Sequence, residues 1–432
     1  MSELRNIADA FDGMLAANKI AKYTYTLTQS EKQELNLENG DFKLMRTVFN
    51  NTGSLRVFLG SKMGAVSGND ITEEGLKKLI ADGLAAAESA EEDPCHDIAP
   101  DQGKDVFRQG ACEPDLDRFI ERIREFLATV AKDYPKVKIM SAMGSYDRWT
   151  WISRNTNGTE YEAFAGQYHF MIEICASDGE KTTGLDYTGF STKDLDKPFI
   201  EIADIKEKLT NIELSLNPVP MEGKFEGTIL LTPSLAGQFV GIALFNFAGS
   251  GSIIDGTGLW LNKVGEKVAS EKLTASLKPY DERIVMGERA TSNGFRTEEA
   301  TLIDKGVLKT HLLSLYAANK TGRPVLKNTG FDLVIEPGDV SYADMLASID
   351  KGLFVGGFSG GNPGANGEFS GVAKNSFLIE NGKIKCAVTE TMINGNLADI
   401  LQNITAVSKD QLCDRSAVVP YIAASGVVIS GK

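Results

Sequence analysis

Histidine is the scarcest chemically useful residue in this chain of 432: there are three, His96, His169 and His311, each isolated. A catalytic zinc centre draws on His with Asp, Glu or Cys and keeps one position open. A Ser-His-Asp or Cys-His nucleophile needs a histidine as base. None of the three has a second His within helix reach. His96, beside Cys95, sits in an acidic stretch, while His169 and His311 fall in strand-like segments, so each reads as solvated or structural. Cysteine is also sparse. Cys95, Cys112, Cys175, Cys386 and Cys413 are odd in number, far apart and without CxxC spacing, which argues against a disulfide framework or a zinc knuckle and fits a reducing cytoplasm. Long apolar runs are missing: Phe239 to Phe247 spans about half of the roughly 20 residues a membrane helix needs, so no membrane association is expected. The opening MSELRNIADAFDGMLAANKI lacks the basic start and unbroken apolar core of a signal peptide. Positive charge is short as well, 45 Lys+Arg against 59 Asp+Glu for a net −14. With no basic block to focus an opposite field, direct nucleic-acid binding is disfavoured.

The length suggests two to four domains at roughly 100–200 residues each. Leu4, Ile7, Phe11 and Leu15 recur at helical spacing to about Asn18. Tyr23–Leu27, Lys43–Phe49 and Ser54–Leu59 then read as strands, separated by turns at Asn39-Gly40 and Asn50-Asn51-Thr52-Gly53. Asp70 to Glu74 caps a helix carrying Leu76, Leu79, Ile80 and Leu84. Residues 1–90 thus form an N-terminal α+β unit, and 91–114 an acidic linker. Residues 115–220 form a middle unit: an amphipathic helix from Asp115 to Asp133, strands Val137–Ala142, Arg148–Arg154, Glu160–Ile174 and Lys181–Gly189, then a helix near Ile200–Leu214. Pro218 and Pro220 mark a boundary. Residues 221–432 form the C-terminal domain, with a helix from Pro233 that is apolar nearly all round, hence buried, among strands such as Glu299–Ile303, Val307–Leu312, Phe377–Glu380 and Ile384–Thr389. The fold class is α+β: an N-terminal helix and antiparallel-sheet region, then a larger, mostly antiparallel β domain with a buried helix.

Glycine is plentiful, 43 residues, eight of them between 351 and 371. No GxxxxGK[ST] and no strand-turn-helix GxGxxG accompanies them, so a nucleotide site is not indicated. Gly357-Phe358-Ser359-Gly360-Gly361 matches the GxSxG elbow, but Gly360, Gly361, Pro363 and Gly364 forbid the helix that must follow. A glycine loop is expected there.

The run Gly367-Glu368-Phe369-Ser370-Gly371-Val372-Ala373, the segment Phe377 to Ile384, and Ile393-Asn394-Gly395-Asn396-Leu397-Ala398-Asp399-Ile400-Leu401-Gln402-Asn403-Ile404 resemble the TldD/PmbA (TldD/TldE) family. Asn293 to Glu298, Leu302 to Leu308, and Leu55-Arg56-Val57 with Gly64-Ala65 support the resemblance. It implies a proteolytic pair: a TldD-type subunit with a zinc-binding HExxxH on a buried helix, and a PmbA/TldE-type subunit without its own metal. Such pairs act on peptides or unfolded proteins, including microcin precursors, and the family carries an older label as a modulator of DNA gyrase. At the motif position this sequence reads Phe245-Asn246-Phe247-Ala248-Gly249-Ser250. Phe245 and Ser250 stand for the histidines and Asn246 for the glutamate, so neither zinc ligands nor general base remain. The family's further thiolate falls near Cys413, with Asp414 as the other candidate.

The resemblance therefore implies a PmbA/TldE-type chain with no catalytic residues and no cofactor of its own, zinc being expected in a TldD-type partner. The partner is that HExxxH subunit or a second copy in a dimer. Gly357, Ser359, Gly360, Gly361, Gly364, Ser370 and Gly371 are candidates for a groove holding an extended peptide by backbone pairing. Two alternatives remain: a self-sufficient hydrolase with a divergent site using His311, Cys413, Ser359 or Glu288, and a non-enzymatic homodimeric peptide-binding or regulatory protein.

Overall fold

The computed structural model describes residues 2–414 and 416–431, with backbone alone at residues 2 and 414. It is an α+β fold on two sheets, one of seven strands and one of twelve. Helix α1 (Ser2–Ala17) buries Leu4, Ala8, Phe11 and Leu15 against Tyr25, Leu27, Leu55 and Val57, the stripe its periodicity predicts. Strands β1 (Lys22–Glu38), β2 (Asp41–Leu59) and β3 (Lys62–Gly68) form a meander. The first turn is Asn39-Gly40, with φ of 51° and 83°, the two left-handed residues that match a two-residue hairpin to the twist of its strands. Helix α2 (Glu73–Ser89) starts at Thr72, whose hydroxyl accepts from the Gly75 amide at 3.3 Å. Strand β4 (Lys104–Gly110) leads to α3 (Leu116–Asp133), capped by the Asp115 carboxylate on the Arg118 amide at 3.0 Å. Strands β5 (Val137–Asn155), β6 (Glu160–Ala176) and β7 (Asp186–Thr192), then helix α4 (Ile205–Leu214), complete this half.

Long-range pairing overrides several local signals here. Asn50-Asn51-Thr52-Gly53 is no turn: these residues pair with Ser30, Gln29, Thr28 and Leu27, so β2 runs straight through. The partner strand supplies a hydrogen-bond ladder that outweighs weak turn propensity. In the same way Val137–Ala142 and Arg148–Arg154 fuse into β5, which pairs with β1 from Thr24↔Asn155 to Glu38↔Ser141. Residues 1–90 and 115–220, separable in sequence, therefore share one sheet. The acidic stretch 91–114 is not merely a connection, because β4 within it runs parallel to β6 from Lys104↔Glu160 to Gly110↔Gly166 and buries Phe107 on Tyr161 and Ala163. Charged flanks hide that one buried aromatic.

The second half contains β8 (Val219–Pro220) and β9 (Lys224–Leu231), then helices α5 (Pro233–Ala248) and α6 (Ser250–Ile254). Strands β10 (Ala275–Leu277), β11 (Ala300–Asp304) and β12 (Val307–Leu308) precede α7 (Leu315–Thr321) and β13 (Leu333–Ile335). Strands β14 (Lys351–Gly361), β15 (Glu368–Glu380), β16 (Lys383–Thr389), β17 (Met392–Asn396), β18 (Ile404–Asp414) and β19 (Ala417–Ser430) finish the chain. Because β17 pairs with both β15 and β19, the strands β19, β9, β14, β15 and β17 close into a ring, with β9 pairing β14 only from Gly352 to Val355. Helix α5 enters with Pro233 in its first turn, where proline costs no hydrogen bond. Its Leu235, Phe239, Val240, Leu244 and Phe247 share one core with Ile229, Leu353, Phe369, Ile393 and Val427 from the five ring strands. Ser234 and Gln238 near its start are exposed, and its last turn opens outward again at Phe245, 47% exposed.

The glycine cluster is a hairpin rather than a loop. Gly357, Ser359, Gly360 and Gly361 lie in β14 and pair with Lys374, Val372, Gly371 and Ser370 of β15. Close approach explains the composition, since a Cβ on Gly371 would sit 2.4 Å from the Phe358 ring and one on Gly356 2.5 Å from the Asn375 carbonyl.

Candidate functional site

The end of α5 opens onto a cleft of about 560 Å³. The helix stops at Gly249, whose backbone turns extended at φ −81° and ψ 164° after its amide makes the last helical bond to the Phe245 carbonyl at 3.1 Å; a Cβ there would fall 2.3 Å from that oxygen. The chain passes at once into α6, which sets Phe245, Asn246 and Ser250 along one wall of the cleft. The Phe245 ring lies against Gly330, where a Cβ would come within 3.2 Å of it. Asn246 donates through Nδ2 to the Pro363 carbonyl at 2.8 Å, fastening the tip of the β14–β15 hairpin to α5. The Ser250 hydroxyl donates to the Leu312 carbonyl at 3.2 Å and accepts from the Ser314 amide at 3.0 Å, ahead of α7. Both polar side chains are thus committed to the framework of the site.

The opposite wall, Thr291 to Phe295, is held from the other half of the molecule. Arg56 of β2 donates to the Ser292 carbonyl at 3.0 Å and the Ala99 amide to the Asn293 carbonyl at 2.8 Å. Burial lowers the pKa of the Arg56 guanidinium. Thr329, also lining the cleft, donates its amide and hydroxyl to the Glu288 carboxylate at 3.0 and 2.6 Å. Burial pushes the Glu288 carboxyl up, more strongly than the Thr329 bonds pull it down. Asp332, 1% exposed, accepts from the Glu288 amide at 2.8 Å through Oδ2, while Oδ1 has no hydrogen-bond partner among the described residues, and burial raises its pKa as well.

Other residues with chemical potential lie elsewhere. His311 is buried, its Nε2 2.9 Å from the Trp260 carbonyl, and burial lowers its pKa. His169 sits among Gln167, Ser191 and Asp147, and His96 stacks on Tyr316. Cys413 donates to the Arg283 carbonyl at 2.7 Å in a separate pocket; the Asp414 side chain lies outside the described residues. Glu288, Ser359 and His311 share no hydrogen bond with one another. Of the glycine-hairpin candidates, Ser359, Gly360, Gly361, Gly364 and Ser370 are exposed, Gly357 is half-buried and Gly371 buried. None of these lines the cleft, which the hairpin reaches only through Ala365 at its tip.

The donor set at the α5 turn does not fit a zinc ion. A phenyl ring has no lone pair to give, the Asn246 amide points its donor at a carbonyl, and the Ser250 hydroxyl is engaged on both sides. Among the described residues no group of three His, Cys, Asp or Glu is placed to hold a metal. Arg56, Asn293 and Thr329 complete the site from distant segments and Asp255 from the end of α6, and no motif spacing marks them as site residues.

Two family models match the chain, together over more than half its length: PmbA/TldA metallopeptidase domain 1 over residues 27–87 and the PmbA/TldA metallopeptidase C-terminal domain over residues 223–431. A metalloprotease of Methanocaldococcus jannaschii is 26% identical over 404 residues, 88% of each chain. Other matched relatives carry PmbA and TldD names. The solved structure of a Bacteroides thetaiotaomicron protein described as a modulator of DNA gyrase superposes with a TM-score of 0.85 at 23% identity, covering 100% of both chains. That of TldE from Thermococcus kodakarensis gives 0.83 at 21% identity over 98% of this chain and 100% of the other. These two likenesses concern the fold.

Proposed function

This chain belongs to the PmbA/TldD metallopeptidase family, and from that premise we propose that it is a metal-free, PmbA/TldE-type subunit of a two-subunit peptidase. In this reading a TldD-type partner with an intact HExxxH carries the zinc and the hydrolytic step, and this chain supplies partner surface and part of the channel for peptides or unfolded proteins in the cytoplasm. One observation carries it: at the position of the metal motif, Phe245, Asn246 and Ser250 face a 560 Å³ cleft with no ligand set, and the two polar residues are bound into the walls. A peptide-sized cleft kept without its metal chemistry suits holding rather than cutting. The hairpin Gly357 to Gly371, pinned to α5 by Asn246, offers exposed backbone at Gly360, Gly361 and Gly364 beside that cleft, suited to an extended chain.

The test is purification of the full chain alone and with a TldD-type relative. Alone it should hold much less than one zinc per chain and show no chelator-sensitive peptidase activity; together the two should co-purify and cleave. One tightly held zinc with activity in the lone chain would favour a self-sufficient hydrolase. Failure to co-purify, with a stable homodimer instead, would favour a non-enzymatic peptide-binding protein.

A further inference from the structure

The cleft at α5 has an uneven chemistry. Its walls include one ionisable residue, Asp255, at the end of α6. Asp255 is exposed and makes no ion pair or side-chain hydrogen bond among the described residues, and the same holds for the side chains of Thr257 on its own side and of Ser292 and Asn293 on the wall opposite. The same cleft is lined by apolar side chains: Phe245, 47% exposed, the half-buried Leu315 and the buried Leu312. An uncompensated negative charge in one cleft with aromatic and aliphatic side chains complements a long side chain that is apolar along its stem and cationic at its tip.

Building on the reading of this cleft as a peptide-holding site, we infer that it takes the side chain of a lysine or arginine within an extended peptide. The aliphatic stem lies on Phe245 and Leu315 and the cation reaches Asp255. Thr257, Ser292 and Asn293 then face the peptide backbone with unused donors and acceptors, fixing its orientation. A volume of about 560 Å³ exceeds what one such side chain fills and leaves room for its backbone neighbours, within the ordinary range of ligand clefts. Because Asp255 is exposed, its attraction is modest and screened by salt, so the discrimination expected between a cationic and a neutral isostere is about two- to fivefold in Kd.

The experiment uses the full chain and fluorescently tagged, N-acetylated glycine-serine peptides carrying a central lysine or a central norleucine, with affinity read by anisotropy. The lysine peptide should bind about two- to fivefold tighter, and the gap should close above about 0.5 M salt and in Asp255→Asn, while Asp255→Glu keeps it. Equal affinity in the unaltered chain, or a gap that survives Asp255→Asn, overturns the inference. So does a preference that appears only when a norleucine peptide carries a free α-amine, which would assign the site to chain termini. Failure of the underlying reading looks different: neither peptide binds, or Phe245→Ala, checked for an unchanged melting profile, leaves both affinities as they were.

Discussion

Asn246 holds its place by donating a hydrogen bond, which makes Asn246→Asp a sharp perturbation. The substitution keeps the shape but turns Nδ2, 2.8 Å from the Pro363 carbonyl, into an oxygen. At neutral pH a carboxylate then faces a carbonyl, the bond is lost, and Pro363, buried in the hairpin tip, keeps an unsatisfied acceptor. A lost bond with a stranded partner costs about 1–3 kcal/mol, or roughly 2–12 °C in Tm at about 2–4 °C per kcal/mol for a domain of this size. Asn246→Ala also loses the bond but adds no opposing charge, so it should cost less. The pH dependence carries the sign. The neutral acid can donate to Pro363, so the introduced carboxyl has a folded pKa above its unfolded value of about 3.9. Its deficit is full above the folded pKa, shrinks as pH falls through it, and is gone below the unfolded pKa. Tm differences from the unaltered chain, measured by circular dichroism at pH 7.5 and near pH 4, read this directly. If Asn246→Asp is no worse than Asn246→Ala at neutral pH, or its deficit is the same at both pH values, Asn246 is not the latch of the hairpin.

His311, neutral and donating to Trp260, has a pKa lowered by burial, so the unfolded chain binds the proton first and stability falls as pH drops below about 6.5; His311→Gln should flatten the Tm–pH curve between pH 7 and 5. Gly367→Ala forces a left-handed residue at φ 82° and sets a Cβ 2.5 Å from Asn396 Oδ1, so a loss of at least about 2 kcal/mol is expected in chemical denaturation. Gly364 is the clean probe of the hairpin groove: an added Cβ meets nothing nearer than Asn366 Oδ1 at 3.3 Å, so Gly364→Gln should leave Tm within about 1 °C and lower peptide cleavage by the reconstituted pair. Unchanged cleavage would remove the hairpin from the substrate path.

Features set by neighbouring residues were legible in the sequence. Asn39-Gly40 dictates its own turn, Asp115 caps its own helix, and Pro233 starts α5, each through contacts within one or two turns of chain. Asn50 to Gly53 misleads because the bonds that hold it extended come from β1, more than a strand's length away. The glycines of β14 and β15 suggest a loop until their partners, the Asn375 carbonyl and the Phe358 ring, show why no side chain fits. The candidate site divides on the same principle. Phe245, Asn246 and Ser250 lie on adjoining turns at a motif's spacing and could be found by resemblance. Asn293, Thr329 and Ala365 meet them only after the ring of strands has closed and the N-terminal sheet has docked, which no linear spacing encodes, whereas Asp255 follows Ser250 at the end of one short helix and goes unremarked because exposed acids are common.

The wall from Thr291 to Phe295 belongs to the C-terminal half by sequence but takes its position from Arg56 and Ala99. The cleft is therefore common property of two cores, and neither half carries it as a portable module. A chimera that joins residues 1–220 of one relative to the C-terminal domain of another could fold both cores and still set that wall wrongly, unless the bonds to Ser292 and Asn293 were inherited together. For exchange between relatives, natural or engineered, the functional unit is the whole chain, and the positions that must travel as a set lie on opposite sides of its most obvious seam.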